Sequence, residues 1–186
     1  LFTEHIRIRA GTFWLPTSRE NVDPLWNSRY TITYSALNSW IAQEVLPVGV
    51  DLQFSPNFYF TVGGTAFRGN DTMGTVLAAR GWTLGNRLSV YNETIAVPPP
   101  DDITRPIGSD LDKKTGFAER VRVQLPERAL LQFTHVDNRS TLVPGEAPDY
   151  PWQTKFNILG GEMGSTSPST VAAEWTRWRR DGRQIS

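Results

Sequence analysis

Apolar and polar side chains alternate one by one through successive stretches of the chain, and this period of two constrains the fold more than any other feature. In residues 46–54 every even position is apolar, and every odd position is polar, glycine or proline. Residues 116–125 repeat the pattern, with Glu119 as the one charge on the apolar side. Because successive side chains of a strand point to opposite faces, the pattern predicts β-strands with one apolar and one polar face.

Read in this way along its whole length, the chain favours an all-β, antiparallel, up-and-down fold with almost no helix. We treat residues 1–186 as a single segment. In its eighth strand, Phe156 and Ile158 are predicted on the apolar face and Lys155 on the polar face. About nine strands are predicted, at residues 4–14, 46–54, 57–67, 74–82, 87–97, 116–125, 129–136, 152–158 and 171–179.

The connections between these strands alternate between tight and long. Tight turns are predicted at residues 55–57, 84–86 and 126–128, with a somewhat wider turn at residues 164–169. The intervening connections are residues 15–45, 68–73, 98–115 and 137–150. Transmembrane barrels have short turns at one rim and longer loops at the other. A β-sandwich has no reason to place its short and long loops at opposite ends. Aromatic residues also cluster near the predicted strand ends, where they fit the interfacial rings of a barrel and the core of a sandwich equally well.

Composition excludes several classes of function. The 19 Lys and Arg residues balance the 19 Asp and Glu residues, which argues against a nucleic-acid partner. The chain has no cysteine and only two histidines, so neither a disulfide framework nor a typical catalytic triad or metal site is expected. The mean hydropathy of −0.37 does not exclude a membrane strand, because only alternate residues of such a strand face lipid. We expect a fragment of a longer protein, with any export signal removed or outside it.

Residues 4–54 contain a series of short motifs in a particular order. Arg9-Ala10-Gly11-Thr12-Phe13 leads to a turn at Pro16, then to Ser18-Arg19-Glu20, a loop with Tyr30, and a strand that opens Pro47-Val48-Gly49. In type and order this region resembles the phosphate-selective porins of the O and P type. The resemblance implies a trimeric outer-membrane barrel, of which this chain would form about half, with a long loop folded into the lumen. Trp14 and Thr17 depart from the family pattern, and the family's phosphate-binding series has no counterpart that we can place, so phosphate selectivity does not follow.

If the apolar faces contact lipid, the polar faces line a water-filled lumen. Their excess of basic side chains predicts a modest anion preference. The connection at residues 15–45 is predicted to fold into the lumen as a constriction, through Arg19, Glu20, Asp23, Arg29 and Tyr30; the alternative is an ordinary cap over the end of a sheet. The predicted pore-lining residues are Arg7, Arg9, Asp51, Gln53, Arg80, Arg120, Arg122, Gln124 and Lys155.

These observations lead to the hypothesis of a passive diffusion channel of the bacterial outer membrane, in contact with the lipid bilayer and permeable to small anions or other small hydrophilic solutes. No catalytic residue, cofactor, metal or nucleic-acid partner is expected, and a homotrimer is expected from the resemblance. The alternative is a secreted or periplasmic β-sandwich that binds carbohydrate by stacking exposed Trp and Tyr rings on sugars. A barrel exposes its apolar faces to lipid, whereas a sandwich buries them between two sheets.

Overall fold

Strands account for most of the described part of the chain. The computed structural model describes residues 5–17, 47–68, 93–96, 104–107, 113–126, 128–139, 155–164 and 171–179, with β4, β5 and β9 described by their backbone. The nine strands are β1 (Ile6–Thr12), β2 (Val48–Asn57), β3 (Phe60–Arg68), β4 (Glu93–Ala96), β5 (Thr104–Ile107), β6 (Gly116–Leu125), β7 (Ala129–Asp137), β8 (Lys155–Met163) and β9 (Val171–Arg179).

Seven of these strands form one sheet in the order β1-β2-β3-β6-β7-β8-β9, and β4 pairs with β5 in a separate two-stranded sheet. Every pairing is antiparallel. The predicted all-β, antiparallel, up-and-down arrangement is therefore confirmed. Within the described residues β1 and β9 each pair with a single neighbour, so the sheet is open.

The connections of the large sheet are sorted by length. Residues 58–59, 126–128 and 164–170 join strands at one edge, which we call the turn edge. Residues 13–47, 69–115 and 138–154 join strands at the opposite edge, which we call the loop edge. Consecutive antiparallel neighbours must connect at alternate edges, so the predicted alternation of tight and long connections becomes a spatial separation of the two kinds.

The region between β3 and β6 differs from the prediction. Two strands, at residues 74–82 and 87–97, were expected to continue the large sheet. Instead β3 pairs directly with β6, with Val62 opposite Val121. Of the strand predicted at residues 87–97, the structure contains β4, which pairs with β5 outside the large sheet. Residues 74–82 lie outside the described residues. Alternation within a segment predicts a strand but not its partner, because pairing is decided by contacts distant in sequence.

The first tight turn lies further along the chain than predicted. The sequence favours a turn at residues 55–57, but β2 continues to Asn57 and the chain reverses at Phe58 and Tyr59. The Asn57 side chain accepts hydrogen bonds from the backbone N–H groups of Tyr59 and Phe60, each at 2.9 Å. A short amide side chain that caps the following backbone in this way stabilises a turn directly after it.

The two faces of the sheet differ in a way that is unusual for a protein folded in water. Directly opposed residues on paired strands share a face. The face that we call the apolar face carries one continuous row across six strands, and each member is between 37% and 45% exposed. This row consists of Ile6, Phe54, Val62, Val121, Phe133 and Leu159.

The opposite face, which we call the polar face, is the more buried one. Asp51 is 1% exposed and Thr134 is fully buried, whereas Leu52, the residue next to Asp51, is 51% exposed. Gln132 and Glu162 are buried on the same face, at 2% and 4% exposure. The sheet therefore shields polar side chains and presents aliphatic and aromatic ones, the reverse of what burial in water favours.

The face predicted for Lys155 is wrong. Lys155 lies opposite Asp137, which lies opposite Phe117, so these three residues share the apolar face at the loop edge. Phe156 and Ile158, predicted on the apolar face, are instead buried on the polar face at 6% and 2% exposure. There they cluster with Leu15, from the segment after β1, and with Phe67, Ala118 and Val136. This part of the polar face is therefore apolar, and the segment after β1 packs on it through Leu15.

Close approach of two backbones requires glycine at position 49. A Cβ at Gly49 would collide with the carbonyl oxygen of Ala66 and lie within 3.1 Å of Phe67. We therefore expect Gly49→Ala to lower the free energy of unfolding by about 1–3 kcal/mol, as overpacking does. Gly64 is the control, because a Cβ there meets nothing within 4 Å. Denaturant unfolding that shows equal stability for Gly49→Ala and Gly64→Ala would contradict this packing.

Candidate functional site

A buried ion pair links the first three strands on the polar face. Asp51 Oδ2 accepts a hydrogen bond from Arg9 Nε at 3.0 Å and forms an ion pair with Arg9 Nη2 at 2.9 Å. Its other oxygen accepts a hydrogen bond from the Thr65 hydroxyl at 2.7 Å. The Arg9 guanidinium also lies over the Phe13 ring, 4.9 Å from the ring centroid. The carboxylate is thus satisfied by charge-assisted and neutral donors, as a buried charge must be.

A second group of hydrogen bonds runs across β2, β3 and β6 nearer the turn edge. Arg120 Nη2 donates to Gln53 Oε1 at 2.9 Å, and Arg122 Nη2 donates to the Thr61 hydroxyl at 3.2 Å. The Ser55 hydroxyl connects the two, 3.4 Å from Gln53 Nε2 and 3.1 Å from Thr61 Oγ1. These bonds hold two guanidinium groups in fixed positions along the polar face.

The segment that follows β1 lies across the polar face. Its residues 13–17 are all buried, and Leu15 is 1% exposed inside the apolar cluster. The Thr134 hydroxyl, on β7, donates to the Pro16 carbonyl at 3.1 Å. The start of the long connection is therefore anchored on strands that are remote in sequence. The remainder of that connection, with Arg19, Glu20, Asp23, Arg29 and Tyr30, lies outside the described residues.

The Thr134 contact gives a direct test of this anchor. Thr134→Val keeps the shape of the side chain but leaves the buried Pro16 carbonyl without this donor, so we expect a loss of about 1–2 kcal/mol in the free energy of unfolding. Thr12→Val is the control, because Thr12 is exposed on the apolar face. Hydrogen exchange of residues 13–17 should accelerate only in Thr134→Val. Unchanged exchange would show that the segment is not held there.

Most of the predicted lining residues do share one face. The register places Arg7, Arg9, Asp51, Gln53, Arg120, Arg122 and Gln124 together on the polar face. Lys155 lies on the other face, and Arg80 lies outside the described residues. On the polar face the described arginines outnumber the described carboxylates, Asp51 and Glu162, and by register Glu174 on β9. The described part of this face therefore carries an excess of positive charge, although the chain as a whole is neutral.

Several residues of this face were missed by the sequence analysis. Thr61, Thr65, Gln132, Thr134 and Glu162 are all buried there. The strand pattern was sufficient to place the two threonines of β3, but the predicted lining residues were all charged or amide side chains. Glu162 was missed because the predicted eighth strand ended at residue 158, whereas β8 continues to Met163.

Comparisons with known proteins add no family or fold relative: no family model, no curated protein and no solved structure matches the chain. In the described part of the chain, no helix is long and apolar enough to cross a membrane. Among the same residues, no three side chains of the metal-binding types come together.

Proposed function

We propose that this chain is part of an outer-membrane β-barrel that forms a passive diffusion channel with a modest anion preference. The observation that carries the proposal is the reversed distribution of polarity across the sheet. Leu52 is 51% exposed beside Asp51 at 1%, and Phe133 is 45% exposed between Gln132 at 2% and Thr134 at 0%. A lipid-facing exterior and a polar interior produce this distribution in transmembrane barrels.

The size of the apolar face supports a lipid environment. One row of exposed side chains crosses six strands, which at the usual spacing of neighbouring strands extends about 24 Å. Contiguous apolar patches of this extent are rare on monomeric soluble proteins. A bilayer core removes the same side chains from water and stabilises the sheet through each of them.

The edges of the sheet support the same proposal. All short connections of the sheet lie at the turn edge and all long ones at the loop edge. Phe58 and Tyr59 form the first tight turn, are 65% and 53% exposed, and pack edge to face with 6.2 Å between ring centroids. Aromatic side chains beside the short turns are typical of the interfacial girdle of outer-membrane barrels.

A carbohydrate-binding sandwich would distribute burial differently. In a sandwich the polar face of each sheet is the solvent face, and the apolar face packs against a second sheet. Here Asp51, Gln132, Thr134 and Glu162 on the polar face are all less than 5% exposed. The buried charges and the anchored segment at residues 13–17 therefore favour a polar interior over a polar exterior.

The anion preference follows from the guanidinium groups held on the polar face. Each of them raises the local concentration of anions, because the low-dielectric wall focuses its field on the lumen. The start of the long connection already covers part of this face, and we propose that its continuation narrows the lumen. Assembly as a trimer stays a prediction from the family resemblance.

Ion selectivity in a planar bilayer tests the function. The full-length protein is inserted, and the reversal potential is measured under a salt gradient. We expect anion permeability to exceed cation permeability, and Arg7→Glu with Arg122→Glu to shift the ratio toward cations. Arg128→Glu makes the same kind of charge change in the turn after β6 and should shift it less. A protein that stays soluble without detergent and never conducts would contradict the proposal.

A further inference from the structure

The apolar face ends in a charged rim at the loop edge. The row next to its central apolar row contains Glu119, His135 and Asn157, with His135 Nδ1 and Asn157 Oδ1 2.8 Å apart. Beyond it, Lys155 Nζ lies 3.5 Å from Asp137 Oδ2. The face thus changes from apolar to polar along single strands, between Phe133 and His135 on β7 and between Leu159 and Asn157 on β8.

Arg139 is held in this rim by contacts of its backbone and of its side chain. Its N–H donates to Asp137 Oδ1 at 2.8 Å, in a backbone conformation with φ of 54°. Its guanidinium lies over the ring of Phe117, 5.5 Å from the centroid. Phe117 lies opposite Asp137 in the outermost row of the apolar face, so this cation packs against an aromatic ring within the rim.

Among the described residues of this rim, cations outnumber carboxylates. Arg68, at the end of β3, is exposed on the same face, and Lys113 and Lys114 are exposed just before β6 begins. On β9, Arg177 and Arg179 are the register partners of Asn157 and Lys155. The register thus places Arg179 opposite Lys155, whose side chain is paired with Asp137. Glu119 and Asp137 are the described carboxylates of the rim.

We propose that this rim binds the phosphate groups of anionic lipids in the leaflet at the loop edge. The inference rests on the proposed membrane function, and it adds a partner of defined chemistry. Acyl chains contact the exposed rows of the apolar face, and the phosphate of the same lipid lies at the level of Arg68, Arg139 and Lys155. The chain carries no net charge, so the attraction depends on the position of these cations and not on a global field.

Quenching of tryptophan fluorescence by brominated lipids tests the rim. The full-length protein is reconstituted in vesicles of phosphatidylcholine with brominated phosphatidylglycerol, and separately with brominated phosphatidylcholine, to give the relative affinity for the anionic lipid. We expect the wild type to prefer the anionic lipid. Arg68→Gln and Arg139→Gln should each reduce the relative affinity for the anionic lipid about fivefold, and the double variant should combine the two reductions. Arg128→Gln removes one cation at the turn edge and should retain most of the preference.

The outcomes separate the rim from the membrane function. The lipid-binding proposal is wrong if all variants insert but none prefers anionic lipid. It is also wrong if Arg128→Gln and Arg139→Gln reduce the preference for anionic lipid equally. Both results leave the proposed membrane barrel standing. Failure of the wild type to insert into either lipid would contradict the proposed function itself. High salt should weaken the preference of the wild type, because screening reduces the attraction between exposed charges.

Discussion

Val121→Arg is expected to destabilise the bilayer-inserted protein by about 2–4 kcal/mol, the cost of a basic side chain near the middle of the lipid-facing band of a barrel. Val121 lies in the central row of the apolar face, between Val62 on β3 and Phe133 on β7. It is 39% exposed, so the protein itself leaves space for the longer side chain. The expected loss therefore comes from the lipid and not from overpacking.

Glu119→Arg is the matched control for this substitution. Glu119 lies on the same face of the same strand, two residues nearer the loop edge, opposite Gly64 and His135. Because it already carries a charge at the proposed boundary of the apolar band, we expect a change below about 1 kcal/mol. Unfolding by denaturant from lipid vesicles measures both variants. If the apolar face contacts water instead, both changes fall within about 0.5 kcal/mol, as ordinary surface substitutions do, and the lipid assignment is wrong.

Asp51→Asn is expected to lower the free energy of unfolding by about 2–3 kcal/mol. The substitution preserves the shape of a side chain that is 1% exposed but removes the charge that pairs with Arg9. Breaking a buried ion pair is strongly destabilising because one partner is left uncompensated. The Arg9 side chain is 31% exposed, and water therefore offsets part of the loss.

Asp137→Asn gives the comparison for Asp51. Asp137 and Lys155 are 3.5 Å apart, and their side chains are 21% and 33% exposed, so their pair should contribute no more than about 1 kcal/mol. Denaturant unfolding of the two variants under the same conditions measures the difference. Equal losses would show that the Arg9 and Asp51 pair is hydrated in the folded protein and that the polar face is not shielded.

Alternation was sufficient to predict the strands in which one face is apolar and the other polar along the whole length. The predicted bounds of β6 and β9 match the structure, and those of β2 differ by a few residues. In β1, β2 and β6 the predicted faces are also correct, because the register pairs Arg9 with Asp51 and Arg7 with Gln53. Local chemistry alone carries this information, since a strand's side chains alternate whatever it pairs with.

The sequence could not predict the features that depend on distant contacts. β3 pairs directly with β6, and β4, from the strand predicted at residues 87–97, lies outside the large sheet. Lys155 was assigned to the wrong face because Phe156 and Ile158 were read as lipid-facing. They are buried in a cluster with Leu15, which follows β1 at the other end of the sheet. The rim around Arg139 likewise could not be predicted, because its residues come together only through the register of β6, β7 and β8.

Site-directed spin labelling along β6 tests the central claim most directly, and the chain's lack of cysteine permits single labels. Labels are placed one at a time at residues 121–125 in the vesicle-inserted protein, and collisions with lipid-soluble oxygen and with a water-soluble nickel chelate are measured. We expect oxygen accessibility to peak at Val121, Val123 and Leu125, and chelate accessibility to peak at Arg122 and Gln124. Odd positions that are accessible to the chelate, or shielded from both reagents as between two packed sheets, would contradict a lipid-facing apolar face.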